Sequence, residues 1–522
     1  MRLSHLKIIE AKSCGGLLDG LEIDFGERRD SDSPMAPLCL IGPNGSGKSQ
    51  LLQLIAEIFQ LAWHEHSPRI ERDAANEDTL FQLDYLIRPH PEADWEKVRL
   101  SRGKKGKKFE FTIARWTDEQ YEAVDWSASS TSRLLPSFVV GYSSGDNETL
   151  SLPFLISRSG YATEVAKAAK DPSNLIGMTP LNKLLMVDYA SHLEVLVATQ
   201  LLGGPEIRRK TIVHACLDEI TSFRCTVRLN GPATTQVKLT EELERYIVGL
   251  KRTATCWNYV ASSDTYTFDF FVTEATREAA AHFFHDALTL YVAIRALGML
   301  NDLAIPKAAR TRVRNSAKER RFAARLPEPQ DEQKVFQFER VRFQAAKADQ
   351  KLEVDYVSLS DGEHQQAQIF GILGIVRGQS ALFLLDEPES HLNPRWRVKF
   401  VSSVLDLLPD RKDQEVLITS HAPFLPSDMD REQVLIFKKD EVGKIEVGNP
   451  NVQTFGATYD TILESCFGVE PPISDYAMST IDELMKTDDI EHLRNELKNL
   501  GPSVEKTLLA DRLRRMTKDV PG

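Results

Sequence analysis

The sequence predicts an α/β fold: a two-lobed sheet, a long, mainly helical α+β insertion between the lobes, and a helical C-terminal tail. Three observations predict it. The stretch GPNGSGKS (42–49) follows a short apolar run, PLCLI (37–41), and precedes QLLQLIAEIFQLAW, whose apolar residues recur at helical spacing. The runs ALFLLDEP (381–388) and EVLITSH (415–421) have strand length, are apolar, and end in polar residues. Between the first stretch and the other two, residues 160–350 mix helical and strand patterns.

The elements follow in order. HLKIIEAK (5–12) and LEIDF (21–25) read as strands around a Gly-rich turn. PLCLI reads as a buried strand and the residues after Lys48 as a helix. FQLDYLI (81–87) and KVRLSRGKKGKKFEFTIARW (97–116) alternate as hairpin strands do. PSFVVGYSSGDNE (136–148) is a buried strand running into a polar turn. In the insertion, helices are expected over 184–203 and 273–303 and short strands over 222–229 and 257–272. After 351 the α/β pattern resumes with the helix HQQAQIFGILGIV (364–376), the two polar-ended runs, a helix near 395–408 and the strand QVLIFKK (433–439). The expected divisions are 1–155, 156–350, 351–470 and 471–522.

A chain of 522 residues predicts several structural units rather than one core. Its composition is ordinary for a globular protein, 42% hydrophobic and 27% charged. A net charge of −12 gives no general attraction to nucleic acid or acidic membrane, so such binding has to be local. The cysteines at 14, 39, 216, 225, 256 and 466 form no CxxC pair and read as reduced, buried thiols. The N-terminus lacks the apolar stretch of a signal peptide, and no uninterrupted apolar run approaches bilayer length. The expectation is a cytoplasmic protein with no membrane partner.

GPNGSGKS matches the phosphate-loop pattern G-x-x-x-x-G-K-S. Gly42, Gly45 and Gly47, with Pro43, Asn44 and Ser46 between them, let backbone N–H groups wrap phosphate oxygens. Lys48 is placed to reach β- and γ-phosphates and Ser49 to ligate Mg²⁺. A strand ending in Asp386–Glu387 delivers both carboxylates to the edge where phosphate ligands sit. Asp386 suits the Mg²⁺ shell; Glu387 suits polarising a water. His421, at the next strand end, can hydrogen-bond a γ-phosphate. LSDGE (359–363) puts Ser360, Asp361, Gly362 and Glu363 at a helix start, where unpaired N–H groups and the dipole favour an anion.

Taken in this order, the four motifs resemble the ATP-binding cassette (ABC) ATPases, over about 1–155 and 351–470. The resemblance implies ATP and Mg²⁺ as cofactors. It implies a head-to-tail pair, or a higher even oligomer, in which Ser360 and the N–H groups near Gly362 of one copy meet the γ-phosphate held by another. Asp361 stands where the family usually has Gly, which places an acid beside a triphosphate. The long gap between P-loop and LSDGE looks like the SMC-like, RecF-like and OLD-like branch. SDMD (427–430) offers a DxD but reads as an ordinary loop, so no intrinsic nuclease is expected. Within that branch the chain looks most like the restriction-system-associated ATPases of Septu anti-phage systems, on VVGYSSGDNE (139–148), LSDGEHQ (359–365), DEPESHLNP (386–394), TSHAPFL (419–425) and TFGATYDTILESCFG with ISDYA (454–477). That likeness implies a partner HNH nuclease (PtuB-like) and, in some systems, retron nucleic acid. A RecF- or SMC-like DNA repair ATPase is the alternative. Asn147 or Glu148 stands in for the absent Q-loop glutamine. Lys12 resembles the basic residue that SMC-like heads place near the phosphates, and equally reads as a solvated lysine.

The stretch PKAARTRVRNSAKERRFAAR (306–325) carries one acid, Glu319, among its bases. At helical spacing Arg310, Arg314, Lys318, Arg321 and Arg325 share a face. That face is a candidate for nucleic acid or a partner protein, with a solvated helix or linker as the plain alternative. SRGKKGKK (101–108) is a smaller basic turn. His64, His66, His282 and His285 read as helix-surface histidines.

Overall fold

In the computed structural model, the described residues are 1–26, 36–73, 78–89, 92–106, 108–145, 148–169, 180–188, 191–230, 237–318, 328–346, 352–376, 378–408 and 413–518. They divide into two compact units, Met1–Gly456 and Ala457–Gly522.

The first unit begins with β1 (Arg2–Glu10), β2 (Glu22–Asp24) and β3 (Leu38–Ile41). Helix α1 (Lys48–His66) follows, then β4 (Leu80–Ile87), β5 (Glu96–Lys105), β6 (Lys108–Thr117) and β7 (Gln120–Val124). Strands β2-β1-β4-β5-β6-β7, in that order, make an antiparallel sheet. β8 (Phe138–Ser143), α2 (Glu148–Ser159), α3 (Tyr161–Ala168) and β9 (Leu184–Val187) come next. The inserted region holds α4 (His192–Leu202), α5 (Pro205–Ile212), β10 (Leu217–Arg228), α6 (Glu241–Thr253), β11 (Cys256–Val260) and β12 (Thr265–Phe271). It continues through α7 (Glu274–Phe284), α8 (Ala287–Gly298), α9 (Lys307–Lys318), β13 (Phe336–Ala345) and β14 (Glu353–Asp355). Strands β11-β12-β10-β13-β14 form a second antiparallel sheet. The last stretch runs α10 (Asp361–Ile375), β15 (Ala381–Asp386), α11 (Pro394–Arg397), α12 (Phe400–Leu407), β16 (Gln414–Ser420), β17 (Val434–Lys439) and β18 (Ile445–Gly448).

The central sheet has the order β18-β17-β3-β16-β15-β8-β9. All its pairings are parallel except β17 with β18. Strands covered on both faces need side chains that tolerate burial everywhere, which is why β15 and β16 are buried at every position. Helix α1 is buried nearly all round, from Leu51 to Trp63. It lies in one core with Leu3, Leu6 and Leu83 of the first sheet and Leu40, Leu384 and Leu417 of the central sheet. The fold is therefore α/β with several sheets.

The second unit is helical: α13 (Tyr459–Phe467), α14 (Asp475–Lys486), α15 (Ile490–Asn499) and α16 (Val504–Lys518). Ile481, Leu484, Leu493, Leu497 and Leu509 form its small core.

Three expectations are corrected, for two helices and for two cysteines. The helix expected over 184–203 begins only at His192; Leu184–Val187 is strand β9, recruited to the sheet edge by parallel pairing with β8. The helix expected over 273–303 breaks at His285, whose φ is +63°, and restarts where Asp286 Oδ1 accepts the Thr289 N–H at 2.7 Å. The stretch Ala287–Ala304 has the length and composition of a membrane span, yet most of it is buried within the fold. Cys216 and Cys256 are exposed, unlike the other four cysteines. The SDMD segment lies between β16 and β17 as a short turn, Pro426–Asp428, and its surroundings.

Candidate functional site

The turn after β3 needs backbone that only glycine supplies cheaply. Gly42 has φ +144°, and a Cβ there would run into the Phe437 carbonyl of β17. Gly47 sits at φ +88° as the N-cap of α1, with Leu18 packed against it. Pro43, Asn44 and Gly45 are exposed, whereas Ser46 and Lys48 are buried. No side chain caps α1 at this end. The N–H groups of its first turn, at the positive end of the helix dipole, make an anion site.

Lys48 Nζ donates to the carbonyls of Gly42 (2.8 Å) and Pro43 (3.1 Å). Burial lowers its pKa to about 8, against the opposing pull of Glu387 and Asp386. Ser49 Oγ donates to Asp386 Oδ1 at 2.9 Å, joining α1 to the end of β15. Thr419 Oγ1, on β16, donates to the same oxygen at 2.5 Å. Asp386 itself is only 2% exposed.

Glu387 turns out of the strand with φ +49°, a conformation that costs a non-glycine residue on the order of 1 kcal/mol. Its N–H is held by the Thr419 carbonyl (3.2 Å) and hydroxyl (3.1 Å). That grip points the side chain toward His421, whose Nε2 lies 3.2 Å from Glu387 Oε1. The hydrogen bond to His421 lowers the Glu387 pKa, and Lys48 adds to the effect. The result is an ionised, half-exposed proton acceptor. Behind it Glu389, 2% exposed, accepts from Ser420 Oγ, and burial pushes its pKa up to about 7.

Residues from three regions of the sequence thus meet at the C-terminal ends of the parallel strands β3, β15 and β16 of the central sheet. The cluster fits a nucleotide with a hard cation. Ser49 and Asp386 offer paired oxygen donors of the kind Mg²⁺ takes. Ser46 Oγ and Gln50 Oε1 are buried beside them without hydrogen-bond partners among the described residues.

The LSDGE residues lie at the start of α10. Ser360 and Asp361 are exposed, and Gly362 packs on the His391 carbonyl, 3.0 Å from where a Cβ would stand. The backbone N–H and hydroxyl of Ser360 both donate to Glu363 Oε2, each at 2.8 Å. Behind this end, His364 meets Tyr356 edge-on, with ring centroids 4.4 Å apart, and Tyr356 stacks on His192. No sequence signal pointed to that aromatic anchor, because the residues are scattered through the chain.

Other expected residues lie elsewhere. Lys12 is exposed and paired with Glu10 at 3.5 Å. On α9, Arg310 donates to the Ile305 carbonyl (3.1 Å) and Thr163 Oγ1 (2.8 Å), and Arg314 pairs with Asp73. Two arginines of the expected binding face therefore serve contacts within the chain. The side chain of Lys318, and Arg321 and Arg325, lie outside the described residues, as do Asn147 and the Glu148 side chain. His64 and His66 are not free surface groups: their Nδ1 atoms sit 2.8 and 2.7 Å from the carbonyls of Glu71 and Trp126.

Residues 284–428 match the family described as "AAA domain, putative AbiEii toxin, Type IV TA system". The chain is 28% identical to Septu protein PtuA of Bacillus thuringiensis over 120 residues, covering 22% of this chain and 30% of that one. It is 25% identical to protein ea59 of Escherichia phage lambda over 142 residues, covering 26% of each. The chain thus spans less than a third of the length of either relative. Among solved structures, the SMC head domain of Thermotoga maritima aligns with a TM-score of 0.33 and 11% identity, over 87% of this chain and 100% of that one. An SMC head domain of Pyrococcus furiosus, bound to the C-terminal domain of ScpA, aligns with a TM-score of 0.32 and 11% identity, over 93% and 100%. With the phosphate-loop turn, the Asp386–Glu387 strand end and His421 at one edge of the central sheet, the chain resembles AAA-domain proteins over residues 284–428 and Septu PtuA over part of its length.

Proposed function

We propose that the chain binds ATP with Mg²⁺ and hydrolyses it. We further propose that it serves in the cytoplasm as the regulatory subunit of an anti-phage defence complex, controlling a separate HNH nuclease through ATP-dependent engagement of two copies. The observation that carries the reading is the convergence at one sheet edge: Ser49 with Asp386 at 2.9 Å, and Glu387 with His421 at 3.2 Å, beside buried Lys48.

The P-loop N–H groups and Lys48 hold the phosphates. Ser49 and Asp386 hold the cation, which when bound neutralises charge on the phosphate oxygens. Glu387 orients the attacking water and takes its proton. His421 donates to the γ-phosphate and reports its loss to Glu387. From the other copy, Ser360 and the N–H groups of Asp361, Gly362 and Glu363 complete the phosphate cage. For that, Ser360 has to release Glu363, so engagement and the exchange of that hydrogen bond are one event. The nuclease partner is inferred from the likeness to PtuA alone, and retron nucleic acid or DNA remains a further ligand of the same complex.

The test is purification of the tagged protein from its native operon, with and without ATP. Mass spectrometry identifies what elutes, and a nuclease assay follows. An HNH protein should co-purify. Lys48→Ala should weaken ATP binding by about tenfold or more, the loss expected for a charge-assisted hydrogen bond. A clean eluate that binds DNA only with ATP would instead support a RecF-like repair role.

A further inference from the structure

Three adjacent strands of the central sheet carry polar residues at one level near their C-terminal ends. Thr419, Asp386 and Ser143 are register partners across β16, β15 and β8. Register partners in a parallel sheet carry their side chains on the same face, and neighbouring strands lie about 4.8 Å apart. The first two residues are committed: Thr419 donates to Asp386, and Asp386 also accepts from Ser49. Ser143 is different. It is 8% exposed, and its hydroxyl has no hydrogen-bond partner among the described residues.

A buried hydroxyl left unpaired is unfavourable, and alanine would fill the same place without the penalty. Nor is the residue loosely placed. The next N–H, that of Ser144, donates to the Asp386 carbonyl at 3.2 Å, which ties the exit of β8 to the end of β15. The hydroxyl therefore sits one strand over from the Asp386 carboxylate, on the same face and at the same level, a span that one water bridges.

We propose that Ser143 is a further binding residue of the nucleotide–metal site. Its hydroxyl completes the polar cage around the divalent cation through one water, on the side of Asp386 away from Thr419. The proposal rests on the nucleotide reading given above. It assigns the position beside Asp386 to a serine that ends a strand, rather than to Asn147 or Glu148 in the turn that follows.

The test uses the full chain with Mn²⁺ as the probe, titrated by electron paramagnetic resonance in the presence of a non-hydrolysable ATP analogue. Analogue binding in EDTA and the urea midpoint are measured alongside. Ser143→Ala should weaken Mn²⁺ in the ternary complex by about tenfold, as loss of an outer partner of a metal site does. The same variant should leave analogue binding in EDTA unchanged and the urea midpoint unchanged or higher. Ser143→Thr, which keeps the hydroxyl, should restore Mn²⁺ affinity. Ser143→Ala protein that binds Mn²⁺ as tightly as wild type overturns the proposal and leaves the nucleotide reading intact. A lowered urea midpoint with unchanged Mn²⁺ affinity also overturns it, in favour of a packing role. Wild-type protein that binds no analogue overturns the nucleotide reading and this proposal with it.

Discussion

Lys48 shows how burial and chemistry pull one residue in opposite directions. Desolvation lowers its pKa to about 8, while phosphates need the cation. Below pH 8 the free protein already carries the proton; above it, the proton is lost and has to be regained when a triphosphate docks. ATP binding should therefore take up about half a proton at pH 8 and almost none near pH 6.5. Calorimetry in buffers of different ionisation enthalpy reads this directly, and Lys48→Met should abolish the uptake. Uptake that is the same at both pH values would mean that Lys48 is charged throughout. The neighbouring carboxylates illustrate the same physics with opposite outcomes. Glu387 is held ionised by His421, whereas Glu389, sealed beneath it, is pushed up to about 7.

At the scale of elements, α10 links the exposed LSDGE end to the inserted helices. Residues 364–375 of this helix are all buried. Two glycines one turn apart allow the approach. A Cβ at Gly371 would stand 2.7 Å from Val195 Cγ1 of α4, and one at Gly374 would stand 2.5 Å from Ile207 Cγ2 of α5. Gly374→Val should overpack this contact and destabilise the protein by about 1–3 kcal/mol, read from the urea midpoint. An unchanged midpoint would show that α5 can retreat without cost. The helix thus packs directly on α4 and α5 of the inserted region.

For the whole molecule, the prediction is an ATP-driven change of assembly. Glu387→Gln removes the proton acceptor but keeps the side chain's shape, so ATP should accumulate unhydrolysed. Light scattering should then report two copies of the 58.8 kDa chain with ATP and one without. Ser360→Arg, which blocks the exposed helix start, should stay single under both conditions. A Glu387→Gln protein that remains single with ATP would remove the head-to-tail pair from the proposal.

The local structure around the candidate site was legible in the sequence. GPNGSGKS announces its turn because only glycine takes the backbone angles at 42 and 47, and the runs before Asp386 and His421 announce buried strands by their length and apolarity. These are short-range properties, set within a few residues of chain. Tertiary structure decided what depends on pairing across long separations. Residues 184–187 are as apolar as a helix segment, and only the free edge beside β8 makes them a strand. The periodicity of α9 puts Arg310 and Arg314 on one face but does not say that Thr163 and Asp73 are waiting there. Register between β8, β15 and β16 sets Ser143, Asp386 and Thr419 in one row, and register is fixed by the packing of whole strands rather than by any residue within them.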